Sequence, residues 1–218
     1  MKYIIYSGQF EKGTQEQQAV FRQLLGSQNV QYKFDLYFHW YNIIHEYGHC
    51  LCEHYNSDII GLKQEFLVNR FAVSIWQYAG YEQELNDLQK MINETLQRMK
   101  DPVPDHMSFT EYYEQIWGTE ELMQVPIYGY FQFKSVQMAL ENKEDLETVL
   151  TEIGIRKGIG NQSRINKKYQ ISADTAKEVL HDIRYLLDGL GIEQPPVDVE
   201  LVDDPSIQCA NCIDSSKS

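Results

Sequence analysis

The chain lacks any apolar run approaching the roughly 18 residues that a membrane span needs, and its opening MKYIIYSGQF has one lysine and too short an apolar stretch for a secretory leader. Those two absences predict an intracellular, cytoplasmic protein with no membrane partner. Positive charge is also scarce: 19 lysines and arginines stand against 32 aspartates and glutamates, for a net charge of −13. A field of that sign repels phosphate backbones, so direct nucleic-acid binding is not expected, and the surplus reads as a solvated acidic surface. Cysteine is limited to Cys50, Cys52, Cys209 and Cys212, too few for a disulfide framework in 218 residues and in keeping with reduced thiols. Proline is absent between Leu36 and His54, which leaves that stretch free to be helical.

What is present is mostly helical patterning. Thr14 and Gln17 have the spacing of a capping box ahead of Val20, Phe21, Leu24 and Leu25, with Gly26 as the stop. Leu36 to about His54 is aromatic and aliphatic on nearly every face and reads as a buried helix. A second buried helix follows the turn Asn56-Ser57-Asp58 and runs to about Tyr78. Leu85, Leu88, Ile92 and Leu96 mark an amphipathic helix over 82–100, Ser108 and Glu111 a capped short helix through Trp117, and further helices are expected at 130–141 and 143–153. Ser172 is expected to cap a helix whose buried face holds Val179, Leu180, Ile183 and Leu187. Met1 to Tyr6 is the one clear strand candidate, so the predicted fold is mainly α, at most α+β with a small sheet. We read residues 1–193 as one domain and 194–218, beyond Pro195-Pro196, as a flexible acidic tail. The glycine-containing stretch 154–170 carries Arg156, Lys157, Arg164, Lys167 and Lys168 and reads as an exposed basic loop.

The strongest chemical signal is IIHEYGHCL, which contains the pattern HExxH as His45, Glu46 and His49. On a helix, positions four apart differ by about 40° in azimuth and roughly 6 Å in rise, so two imidazoles so spaced can converge on one tetrahedral metal. A zinc ion held this way activates a bound water, and the neighbouring Glu46 is placed to take its proton and return it to a leaving amine. The uncharged flanks Ile43, Ile44, Tyr47, Gly48, Cys50 and Leu51 allow the helix to be buried and the site shielded from bulk water.

The next helix offers EFLVNRFA, with Glu65 four residues before Asn69. HEYGH followed by Glu65-x-x-x-Asn69-x-Phe71-Ala72 resembles the ImmA/IrrE family of metallopeptidases, part of the thermolysin-like group whose third zinc ligand is a glutamate; the resemblance spans about residues 43 to 76. It implies a zincin-like core, zinc on His45, His49 and Glu65, Glu46 as base, and Asn69 as the group that orients a ligand imidazole. Val68 stands where such proteins usually have alanine, and Asp35 to Ile44 reads as helix where they present a strand. The function so implied is hydrolysis of a protein or peptide substrate, in the manner of regulated proteolysis; the rival from another class is a non-catalytic interaction or regulatory protein stabilised by its metal.

Other residues compete for roles. His54 is not at the tenth position after His45 that the other common zinc-protease pattern requires, since Tyr55 is there, and it reads with Glu53 as a solvated helix end. Cys209-x-x-Cys212 is half of a thiolate metal site in what reads as tail. Tyr112, Tyr113, Tyr128, Tyr130 and His106 are candidates for the donor that faces a developing oxyanion.

Overall fold

A computed structural model describes residues 2–159, 165 and 169–213. Met1, Arg164, Lys167, Lys168 and residues 214–218 of the expected strand, basic loop and tail lie outside the described residues. The architecture is a helical body against a small sheet, in agreement with the mainly α reading.

Strand β1 (Lys2–Gly8) is followed by α1 (Gln15–Leu25), whose start carries the reciprocal Thr14 and Gln17 bonds that the capping box predicts. A short helix α2 (Val30–Phe34) passes without a break into a π-helical stretch, Asp35–Tyr41, and then into α3 (Asn42–His54). Helix α4 (Leu62–Ala79) returns beside α3, α5 (Glu82–Arg98) follows, and α6 (Phe109–Ile116) begins with the Ser108 and Glu111 capping box. Helices α7 (Val125–Asn142), α8 (Leu146–Ile153) and α9 (Ala176–Gly189) complete the body, and β2 (Val197–Val202) and β3 (Gln208–Ile213) complete the sheet.

Two boundaries differ from expectation for identifiable reasons. Helix α7 starts five residues before the predicted 130 because Pro126 falls in its first turn, where a missing N–H costs nothing. Ser172 opens a single 3-10 turn, Ala173–Thr175, and α9 begins only after it.

The larger correction concerns the C-terminal stretch. Within 197–213 the chain is not a flexible tail: β2 pairs parallel and β3 antiparallel with β1, in the order β2-β1-β3. Val197 and Val199 are buried while Asp198 and Glu200 are exposed, a period-two alternation that becomes a strand once β1 supplies a partner from the other end of the chain. A central strand is covered on both sides, which explains the near-continuous apolar run Tyr3-Ile4-Ile5.

The main core joins Ile5, Phe34, Trp40, Ile44, Tyr47, Phe71 and Trp76 to α8 and α9. A second, smaller cluster of Leu62, Tyr112, Tyr113, Ile116, Leu122 and Phe131 forms a lobe over the start of α4. The α3–α4 contact is close because of Gly48: a Cβ there would lie 3.0 Å from Val68 Cβ and 3.1 Å from Phe71 Cδ1. Away from that contact, Ser7 Oγ meets His39 Nδ1 at 2.9 Å, tying β1 to the π-helical stretch. His39 Nε2 is buried without a hydrogen-bond partner, 3.7 Å from Asp35 Oδ1. Among the described residues no helix is long and apolar enough to cross a membrane.

Candidate metal centre

His45, Glu46 and His49 stand at positions i, i+1 and i+4 of α3, and Glu65 lies in the first turn of α4, one residue after Gln64. The glycine at position 48 lets α4 approach until the Glu65 carboxylate lies against both imidazoles: His45 Nε2 is 3.4 Å from Glu65 Oε2 and His49 Nε2 is 3.3 Å from Glu65 Oε1. Among the described residues these three form the one group of histidine, cysteine and carboxylate side chains whose ligand atoms gather, all within 4.8 Å of one another.

The rings are held from behind. His45 Nδ1 lies 3.1 Å from Asn69 Oδ1, and His49 Nδ1 lies 2.9 Å from Gln64 Oε1. Each amide is fixed the right way round, because Asn69 Nδ2 donates to the Glu65 carbonyl at 2.9 Å and Gln64 Nε2 donates to the Ile59 carbonyl at 2.8 Å. A backbone carbonyl can only accept, so both amide oxygens must face the histidines. In its neutral form each imidazole therefore carries its proton on Nδ1 and leaves the Nε2 lone pair toward Glu65, the arrangement a ligating histidine adopts. Tyr41 adds a further layer, its hydroxyl donating to Asn69 Oδ1 at 3.0 Å from one turn before His45.

The spacing fits an ion better than it fits direct bonding. Charge-assisted N–H···O contacts close to about 2.7–2.9 Å, whereas two ligands about 2.0–2.1 Å from a tetrahedral zinc are separated by about 3.4 Å. The observed 3.3 and 3.4 Å, one to each Glu65 oxygen, lie near the second figure, and the three ligand atoms as a set lie within 4.8 Å of one another. Glu65 Oε2 is moreover buried and, among the described residues, has no hydrogen-bond partner at normal geometry, with His45 Nε2 3.4 Å away.

The charges are mutually dependent. Burial by itself would push the His49 imidazolium down, but the Glu65 and Glu46 carboxylates and the Gln64 amide outweigh it and raise it to about 9. Burial likewise opposes ionisation of Glu65, yet the two imidazoles hold its carboxyl well below the usual range. A cation is what this cluster stabilises.

The structure separates the oxyanion candidates. Tyr112 donates to Glu121, Tyr113 to the Ile127 carbonyl and Tyr130 to Asp101, each at 2.8 Å, and His106 is exposed in the connection before α6. Tyr128 alone of the five senses the centre: burial first, then Glu65 and Glu46, push its phenol up to about 12. The buried Tyr37 is raised by its burial and then by Tyr128, Glu65 and Glu46, so it belongs to the same electrostatic group. His54 ends α3, 3.9 Å from Glu193, with Glu53 exposed beside it. Cys50 and Cys52 are buried, belong to no disulfide, and lie outside the histidine and glutamate group.

Sequence reasoning missed Gln64, Tyr41 and Tyr37. Gln64 immediately precedes Glu65, and Tyr41 lies four residues before His45, a helical spacing that could have nominated it. Tyr37 had no comparable signal. No family model, curated protein or solved structure gives a significant match to this chain.

Proposed function

We propose that the protein is a zinc-dependent metallopeptidase, hydrolysing a peptide bond in a protein substrate, of the kind its resemblance to the ImmA/IrrE family implies. The observation that carries this reading is the pair of imidazoles, locked by Asn69 and Gln64 with Nε2 turned inward, against a buried carboxylate whose Oε2 has, among the described residues, no hydrogen-bond partner at normal geometry. His45, His49 and Glu65 would hold the ion, and two imidazoles with one carboxylate are a donor set that suits zinc and leaves room for a further ligand.

Bound there, zinc would supply the Lewis acidity that brings the pKa of a bound water down toward neutral. The chain's own part is proton handling and orientation. Glu46, adjacent to His45 and within the electrostatic reach of His49 and Tyr128, accepts the water's proton and delivers it to the leaving amine, which an amide nitrogen needs in order to depart. Tyr128 presents a neutral phenol to the same space, suited to donating a hydrogen bond to a developing oxyanion. The lobe built on Tyr113 and Phe131 supports the helix that carries Tyr128.

Elemental mass spectrometry of the purified protein is expected to find about one zinc per chain, lost in His49→Ala and in Glu65→Ala. Glu46→Gln should keep the zinc and lose cleavage of a denatured-protein mixture followed by mass spectrometry. Equal cleavage by that variant would refute the assigned role of Glu46. Zinc retained with no cleavage by the wild type would favour a non-catalytic, metal-stabilised interaction protein.

A further inference from the structure

The outer edge of the sheet carries features that the metal centre does not use. In the parallel β1–β2 pair, Tyr3 faces Val197, Ile5 faces Val199 and Ser7 faces Leu201. Tyr3 N–H donates to the Pro196 carbonyl and Gln9 N–H to the Val202 carbonyl, so the even-numbered residues of β2 pair with β1. The amides and carbonyls of Val197, Val199 and Leu201 consequently point away from the sheet. Arg184 Nη1 reaches one of them, the Val197 carbonyl, at 3.2 Å. Among the described residues the outward groups of Val199 and Leu201 have no hydrogen-bond partner.

Beside this edge runs a groove of about 380 Å³, with α9 as its other wall. Lys177 and Arg184 lie seven residues apart on the same face of α9, and Tyr185 is 72 % exposed at the rim. Two carboxylates also line the groove: Asp198 pairs with Lys2 at 2.6 Å and feels the charges of Lys177 and Arg184 from farther off, and Asp188 accepts from the Gln194 amide. Neither Lys177 nor Arg184 has a carboxylate within ion-pair distance among the described residues. On a chain of net charge −13 this is a local basic wall next to a row of unused backbone groups.

We propose that this groove is a docking site for an extended acidic segment of another protein, which adds to β2 as a fourth strand and sets alternate carboxylates against Lys177 and Arg184. Unpaired strand edges bind extended peptides through main-chain bonds, with side-chain pockets on alternate residues supplying selectivity. A second copy of this chain is a poor occupant, because antiparallel pairing of two β2 strands about Val199 would place Asp198 directly opposite Glu200, two exposed like charges. The same two residues require small neutral side chains on the other face of the incoming strand. A nucleic-acid phosphate would find the two cations but could not use the strand edge.

Fluorescence anisotropy on the full chain tests this with a short labelled peptide that alternates glutamate with threonine. Saturable binding is expected, weakened about tenfold in a Lys177→Ala, Arg184→Ala double variant. Arg184→Ala also removes a bond to β2, so Lys177→Glu alone serves as a second variant, with a similar weakening expected. The decisive comparison leaves the protein untouched: the same peptide N-methylated on alternate residues keeps its charges, cannot form the ladder, and should not bind. Absence of binding to the unmodified peptide overturns the proposal. So does equal binding of the methylated peptide, or displacement by single-stranded DNA at charge-matched concentration, since either would reduce the groove to a site for anions. Glu65→Ala should bind the peptide as the wild type does, which keeps this result separate from that of the metal centre.

Discussion

Replacing Gly48 by alanine adds one methyl group at the closest approach of α3 and α4. That methyl would meet Val68 Cβ at 3.0 Å and Val68 Cγ1 and Phe71 Cδ1 at 3.1 Å, so the helices must part by a few tenths of an ångström. Val68 and Phe71 are fully buried, and a β-branched valine on a helix has little rotamer freedom with which to yield. Alanine for glycine within a helix would by itself stabilise by about 1 kcal/mol, while overpacking a filled core costs about 1–3 kcal/mol. The expected net result is a loss of up to about 2 kcal/mol in the metal-free protein.

The effect on the metal centre should exceed the effect on the fold. His45 and His49 stand on one of the separated helices and Glu65 on the other, at contacts of 3.4 and 3.3 Å. Metal–ligand distances tolerate only about ±0.2 Å, so a displacement of a few tenths should weaken zinc binding by about tenfold to a hundredfold. Competition against a chromogenic chelator measures that affinity, and denaturant melts of the metal-free protein measure stability. If Gly48→Ala stabilised the metal-free protein by the full helix-propensity gain and bound zinc with unchanged affinity, the reasoning from this contact would be wrong.

Three further perturbations read other parts of the structure. Asn69→Ala and Gln64→Ala should each lower zinc affinity by about tenfold to a hundredfold, with Asn69 the larger because its loss also strands the Tyr41 hydroxyl in the core, whereas the His49 side chain is 23 % exposed and water can replace Gln64; calorimetric titration giving the reverse order would contradict this. Burial raises the Asp35 carboxyl to about 7, so it holds more protons folded than unfolded; its contribution to stability is complete below about 4 and is lost as pH rises through about 7. Asp35→Asn removes that loss, and its stability relative to wild type should climb by a few kcal/mol between pH 4 and 7 in urea melts; a difference independent of pH would show that Asp35 is not held neutral. In the proposed hydrolysis, Tyr128→Phe should lower kcat by about 10²–10³ with little change in KM, and unchanged steady-state kinetics would remove Tyr128 from the reaction.

The helices and the grouping of His45, His49 and Glu65 were legible because their signals lie in short stretches of chain. Capping at Thr14 and Ser108 depends on residues three apart, and the buried character of α3 and α4 is written in continuous runs. His45 and His49 are brought to one side by helical periodicity alone, and Glu65 and Asn69 followed from the resemblance of a short motif. The His39 imidazole shows the limit of such reading: burial lowers it to about 4 beside a serine 32 residues earlier in the chain, and no local pattern announces that pairing.

What the sequence by itself determined is therefore the list of chemical groups and the helices that carry them. Tertiary structure alone decided that Gln64 backs His49, that Tyr128 among the five candidates comes within electrostatic reach of Glu65 and Glu46, and that residues 197–202 and 208–213 are strands. The physical reason is the same in each case. A strand needs a partner to satisfy its backbone, and β2 finds that partner almost the whole chain away; likewise the amide of Gln64 meets His49, and Tyr128 comes within reach of the carboxylates' charge, only when packing brings separate helices together.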